Sequence, residues 1–284
     1  MSLQHLVPRF VLRHFCRTAG RKQVISVRDL ASGRTFPATL DRVAASNRFY
    51  DFVTESGETA SIDPFLTDIE SVTAPAWRKL AQTERIGELD ERDRQALAVF
   101  VVTLAVRGPS IRAEIEALPD LILDALRQRG EVDEHLKGWL DDGQGREAEI
   151  HASTVAHVSR HYSAVAGRTW LLFRPPTGRH FCTSDSPVTQ FNEIDHGLRN
   201  NLGLLTRGIC LQVAISPTLL LVIADGDAYG LKEVDRVMPL GEEHLLHYNW
   251  LLARFAHRYL YAPSGLDFQV PDGAWIAGPQ ISIE

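Results

Sequence analysis

Two kinds of hydrophobic periodicity occupy separate parts of this 284-residue chain. Residues 62–163 repeat apolar side chains at helical spacing, whereas the segments before and after them alternate apolar and polar side chains as strands do. Strands that cluster at the two ends cannot build the alternating units of a doubly wound sheet. The pattern therefore predicts an α+β fold, in which an N-terminal hairpin and C-terminal antiparallel strands are joined by a largely helical middle. A hairpin alone is too small to be stable, so the first and last thirds are expected to touch. A single domain over residues 1–284 is expected.

In the middle, Ile62 to Gln82 places Phe65, Ile69, Val72, Ala76 and Leu80 on one helical face, with Ser61 or Asp63 as cap. Pro75 should kink or split that helix. Asp90 to Val106 is a second helix, with Asp90 as N-cap and Asp93 three residues on, a weaker pair than a Ser/Glu capping box. Its half from Ala96 is apolar all round, which marks a buried central helix, and Arg107-Gly108-Pro109 stops it. Ser110 to Gly130 continues as helix, broken at Pro119. Glu131 to Glu149 is acidic, turns at Asp141-Asp142-Gly143, and is expected to be a mobile surface helix and loop. Ile150 to Ser163 is a further helix, carrying His151, His157 and His161.

Gln23 to Thr39 reads as a hairpin turning at Ala31-Ser32-Gly33, followed by one helical turn over Leu40 to Ala45. Thr169 to Arg174 is a strand whose partner is expected at Arg179 to Thr183, across Pro175-Pro176-Thr177-Gly178. Cys210 to Ile215 and Leu219 to Ile223 are two more strands. Gly241 to Tyr259 is a last helix, and Tyr259 to Pro263 a closing strand.

A formal charge of −6 excludes a chain coated in basic groups, although it leaves room for a local basic groove. Cys16, Cys182 and Cys210 are odd in number, far apart and in no CxxC spacing, so reduced thiols and a cytoplasmic setting are expected. No apolar run approaches the roughly 20 residues that span a bilayer, and His5, Arg9, Arg13 and His14 interrupt any secretory core segment. No membrane partner is expected.

The first fifteen residues, MSLQHLVPRFVLRHF, are too apolar to be a free tail. They read as an inserted arm: Phe10, Leu12 and Phe15 anchor it, and His5 and Arg9 point toward Ser46-Asn47-Arg48-Phe49-Tyr50-Asp51 and Thr183-Ser184-Asp185-Ser186-Pro187-Val188. Two functions follow from these residues. The first is a metal-dependent phosphodiester hydrolase of nuclease type. His5, Asp51, Glu70 and Asp185 are ligand types for a divalent ion such as Mg²⁺ or Mn²⁺. Within this reading His5, Asp51, Tyr50 and Asp185 are the catalytic candidates. Arg9, Arg48 and Arg107 would clamp phosphate, with Asn47, Ser184 and Asn249 as further substrate contacts. The second is a non-enzymatic module that senses a nucleotide, nucleic acid or other ligand in a defence or toxin system. The plain structural alternative is a buried polar network, with His5 bonded to a backbone carbonyl, Asp51 and Asp185 capping helices or turns, and Arg9 and Glu70 as a buried ion pair. A serine hydrolase is weaker, because no G-x-S-x-G elbow occurs. Cys182 beside His180 is expected to be a buried structural thiol. His157 and His161, spaced i, i+4, are expected on a solvated helix face.

Gln4-His5-Leu6-Val7-Pro8-Arg9-Phe10 with Leu12, Arg13 and Phe15, then Asn47 to Asp51, Glu70, Arg107-Gly108-Pro109, Thr183 to Val188 and Ser216-Pro217, together resemble the mainly bacterial family known as domain of unknown function 4238. The resemblance covers nearly the whole chain and implies kinship without a settled activity. The chain departs from the family pattern at Ser186, where Asn is frequent, and at Glu131 to Glu149.

Overall fold

A computed structural model of the chain describes residues 3–54, 56–129, 138, 146–194 and 203–270. The arm supplies strand β1 (Leu3–His5) and helix α1 (Arg9–Arg13). Strands β2 (Arg17–Ala19), β3 (Lys22–Asp29) and β4 (Thr35–Thr39) follow, and then a 3-10 turn at Leu40–Arg42. β5 (Ala45–Asn47), β6 (Asp51–Val53) and β7 (Thr59–Ser61) complete the first third. The helical middle comprises α2 (Asp63–Thr83), α3 (Glu91–Val106), α4 (Pro109–Arg129), α5 (Glu147–Val158) and α6 (Tyr162–Ala166). The last third holds β8 (Thr169–Arg174), β9 (Thr183–Ser184), β10 (Val188–Asn192), β11 (Ile209–Ser216), β12 (Leu219–Ala224), α7 (Gly226–Tyr229), β13 (Val237–Pro239), α8 (Glu242–Phe255) and β14 (Tyr259–Pro263). The α+β class is therefore observed.

Two five-stranded sheets carry the fold. One has the order β10-β11-β12-β8-β13, antiparallel except for β13, which runs parallel to β8. β11 and β12 are buried along almost their whole length. Their unbroken apolar runs reflect this, because a strand covered on both faces has no solvated side to alternate toward. The other sheet joins the chain's two ends: β3 pairs with β14 from Tyr259 opposite Asp29 to Pro263 opposite Ile25. β4 lies along the other edge of β3, β2 extends the β14 side, and β9 pairs with the far edge of β14. Contact between the first and last thirds is thus made by backbone pairing. Two small ribbons, β1 with β5 and β6 with β7, stand beside these sheets.

The central helix is α3, whose residues Leu97, Ala98 and Phe100 to Leu104 are buried. Asp90 accepts from the Asp93 amide at 2.7 Å, and Asp93 accepts from the Asp90 amide at 3.4 Å, so the two acids form a reciprocal capping box after all. The arm packs against this helix. Val7, Val11, Leu12 and Phe15 are fully buried, and Phe10 meets Phe100 at 5.3 Å and Trp77 at 6.0 Å.

Four local expectations fail. α2 runs unbroken through Pro75, and α4 through Pro119. Pro75 lies on the exposed face of α2, where water can serve the carbonyl its missing N–H leaves free. The buried stripe of α2 is Leu66, Thr73, Ala76, Trp77 and Leu80, leaving Phe65 and Val72 exposed. Trp77, the largest side chain of that stripe, is fully buried. Arg179 to Thr183 does not return along β8, because β12 and β13 occupy both edges of that strand. Thr183 and Ser184 pair with Tyr261 and Leu260 instead. Most of the acidic segment Glu131 to Glu149 lies outside the described residues.

Candidate functional site

Arg107, the first residue after α3, is only 1% exposed. Its Nη1 donates to Glu70 Oε1 at 2.8 Å, its Nε to the Tyr50 hydroxyl at 3.0 Å, and its Nη2 to the His5 carbonyl at 2.8 Å. The guanidinium also lies over the Tyr50 ring at 5.3 Å. A single fork therefore ties α3 to α2, to β1 and to the loop before β6. Burial pushes the Glu70 carboxyl and the Tyr50 phenol above their ordinary values, against the pull of Arg107. Gly108 follows at a close approach: a Cβ there would lie 3.1 Å from Ser186 Oγ and 3.2 Å from the Asp185 carbonyl, so these neighbours would have to give by a few tenths of an ångström. The Ser186 and Ser110 hydroxyls meet at 2.7 Å. These contacts explain why Arg107-Gly108-Pro109 and Thr183 to Val188 both stand out in the sequence: the two segments pack against each other.

Next to this network, Gln4 is buried and plays a part that the sequence reading missed. Its Nε2 donates to Asp51 Oδ1 at 2.8 Å and to Ser61 at 3.3 Å, while its Oε1 accepts from the Tyr50 amide at 2.7 Å. The bond from Gln4, then one from the Ser61 hydroxyl, then the charge of Arg48 hold the Asp51 carboxyl below the usual range. Arg48 and Asn47 are exposed at the same corner, with Arg48 Nε 3.8 Å from Asp51 Oδ2.

The expected site residues accordingly fall into separate groups. His5, Tyr50, Glu70 and Arg107 meet, and Asp51 joins them through Gln4. Asp185 does not. Its two oxygens accept the main-chain amides of His257, Arg258 and Tyr259 at 2.9, 2.8 and 2.9 Å, which pins β9 to the start of β14. Ser184 is fully buried and accepts the Ser186 amide at 3.0 Å. Asn249 is fully buried in α8, where it receives the Cys182 amide at 3.3 Å and donates to the Gln269 carbonyl at 3.1 Å. Neither can reach a ligand. Arg107 and Tyr50 are likewise committed to each other, as the buried-network reading holds. Among the described residues no three His, Cys, Asp or Glu side chains are arranged to hold a metal ion, so the four proposed ligands do not form one site. Cys182 is buried with its thiol against the Phe268 carbonyl at 2.9 Å, and His157 and His161 lie on an accessible face.

The expected buried pair of Arg9 with Glu70 does not form: Glu70 takes Arg107, and Arg9 turns away from the buried part of the arm. It lies at the surface, ion-paired with Asp41, and borders a cleft of about 590 Å³. Arg21 and Lys22 enter this cleft from the β2–β3 turn, where Gly20 holds a φ of +62°, and Arg42 enters from the 3-10 turn. Gln23 and Thr39 add neutral donors and acceptors. Among the described residues Arg21, Lys22 and Arg42 have no acidic partner. Arg9 also borders a smaller pocket of about 350 Å³ with His5, Phe10, Arg13 and Glu70. The His5 Nε2 is buried there without a partner, and burial, then the charge of Arg9, pulls its pKa down. A signal for this surface was present in the sequence: residues 1–48 carry nine Lys and Arg against two Asp and Glu, a local +7 in a chain of −6.

No single helix among the described residues is long and apolar enough to cross a membrane. No curated protein and no solved structure matches the chain. One family model does, over residues 3–265, which take in the arm, both five-stranded sheets and the whole Arg107 network. The chain therefore belongs to the family described as "Protein of unknown function (DUF4238)".

Proposed function

We propose that the protein is a recognition module for a phosphate-rich anion, bound in the cleft between α1, the β2–β3 turn and the Leu40–Arg42 turn. The observation that carries this reading is the charge of the cleft: Arg9, Arg21, Lys22 and Arg42 surround one acid, Asp41, in a protein that is acidic as a whole. Guanidinium forks match phosphate oxygens two at a time, and a concave surface of one sign concentrates the opposite ion. An incoming phosphate would compete with Asp41 for Arg9, so binding would free Asp41 into solvent.

Recognition without turnover has the better support. Hydrolysis would call on carboxylates that are otherwise engaged: Asp185 by three amides, Glu70 by Arg107 and Asp51 by Gln4. Calorimetric titration with inorganic tripolyphosphate tests the reading. Binding is expected at low ionic strength and is expected to weaken at least tenfold in the Arg21→Glu, Lys22→Glu double variant. Wild-type protein that takes up no tripolyphosphate at millimolar concentration would overturn it.

A further inference from the structure

A second concavity adjoins the basic cleft, and its chemistry is the opposite. It is a pocket of about 210 Å³ between the β1–β5 ribbon and the sheet formed by β3, β4 and β14. Leu6, Val27, Val43 and Ala45 supply aliphatic wall, and Phe36 and Tyr259 supply aromatic rings. Arg42 borders both spaces. The chain passes from one to the other without a break: Thr39 to Arg42 line the cleft, and Arg42 to Ala45 line the pocket.

Two features set this pocket apart from an incidental gap. Phe36 is 39% exposed although it stands in a strand and faces an apolar hollow, so part of a large ring is left uncovered. Ala44, in the pocket wall, holds a φ of +50°, the left-handed region that a residue with a Cβ avoids. Its carbonyl accepts the Leu6 amide at 2.7 Å, and the β1–β5 pairing that begins at the next residue keeps it in place. Strain retained by the surrounding structure is found preferentially where a ligand is held.

A cationic cleft that shares Arg42 with a small aromatic and aliphatic pocket beside it matches a ligand with a charged end and a flat apolar end. From this juxtaposition we infer that the anion is a nucleoside polyphosphate, with its phosphates among Arg9, Arg21, Lys22 and Arg42 and its base against Phe36 and Tyr259. The inference rests on the reading of the cleft as a phosphate site and adds the base pocket to it. Aromatic rings accept any base face, and selection among bases falls to edge contacts around the pocket. The two spaces together lie within the range of pockets that enclose a small organic ligand, about 300–1,000 Å³.

The test compares ATP, GTP, CTP and UTP with inorganic tripolyphosphate by calorimetry on the full chain. Tripolyphosphate carries at least as much charge as the nucleotides, so any advantage of a nucleotide comes from its nucleoside. At least one nucleotide is expected to bind about tenfold tighter than tripolyphosphate. Phe36→Ala should remove that margin and leave tripolyphosphate binding as it was, and Phe36→Trp should keep it. Thermal unfolding of each variant confirms that it remains folded. Equal binding of nucleotides and tripolyphosphate, with no effect of Phe36→Ala, would overturn the base pocket and leave the phosphate cleft standing. Failure of all five to bind would remove the cleft reading and this inference with it. A single-stranded oligonucleotide that binds more tightly than every nucleotide, indifferent to Phe36→Ala, would also overturn it by making the ligand a strand.

Discussion

Arg107 holds three parts of the chain with one side chain, and its burial makes it hard to replace. Its loss would strand the Glu70 carboxylate, the Tyr50 hydroxyl and the His5 carbonyl without their donor. Breaking a buried pair on one side costs about 3–5 kcal/mol. Glu70 keeps some contact with solvent, so Arg107→Ala is expected at the lower end, about 3 kcal/mol, in denaturant unfolding. Arg107→Lys should recover little, because an ammonium cannot reach all three acceptors. An unchanged midpoint in Arg107→Ala would show that the network is ornamental.

Histidines carry a second effect at the level of single residues. His151 is buried, donates from Nε2 to the Val106 carbonyl at 2.9 Å and packs edge-on against Phe49. Burial pulls its pKa below 6.5, as it does for His5, His14 and His180. The fold therefore favours the neutral rings. Their contribution is complete above pH 6.5 and is lost as the pH falls from 6.5 through the lower folded values, because the unfolded chain takes up protons first. Thermal stability should be flat above about pH 7 and should fall below 6.5, and His151→Gln should make that slope shallower. A profile that rises toward pH 5 would contradict this.

Among the elements, the arm owes its shape to the core it packs on. α1 has only five residues and could not hold its shape alone; packing holds it. Leu12 is fully buried in the main core, so Leu12→Ala is expected to destabilise by about 2–5 kcal/mol, read as a shift in denaturation midpoint. A shift under 1 kcal/mol would mean that the arm is loosely seated. The elements also divide by how far their own residues determine them. The all-apolar half of α3, the stop at Arg107-Gly108-Pro109 and the β3–β4 hairpin could be read locally, because burial on all sides, a proline and a glycine turn act within a few residues. The partner of β8 could not be read. It depends on which strand reaches each edge, and β12 and β13 come from 45 or more residues away in sequence. The continuity of α2 through Pro75 was likewise hidden, because it depends on which face of the helix meets water.

For the molecule as a whole, net charge concealed the feature on which the proposed function rests. A chain of −6 holds a +7 segment in its first 48 residues, and the β2–β3 and Leu40–Arg42 turns gather part of that charge into one cleft. The polar residues chosen from the sequence did converge in part, at Arg107, but they converged into a buried network. Asp185 and Asn249 look like ligand groups in a sequence because backbone-satisfying side chains and ligand-binding ones are the same residue types. Only their burial and partners separate the two. Binding at an exposed basic cleft should fall steeply with salt, because ordered phosphates release counterions.

The decisive experiment is a charge reversal inside the cleft and another outside it. Tripolyphosphate affinity at low salt is compared for the wild type, for Arg42→Glu in the cleft and for Arg236→Glu, an exposed arginine before β13 that lies outside it. The cleft reading predicts at least a tenfold loss in Arg42→Glu and a change under twofold in Arg236→Glu. Equal losses in the two variants, or none in either, would contradict it.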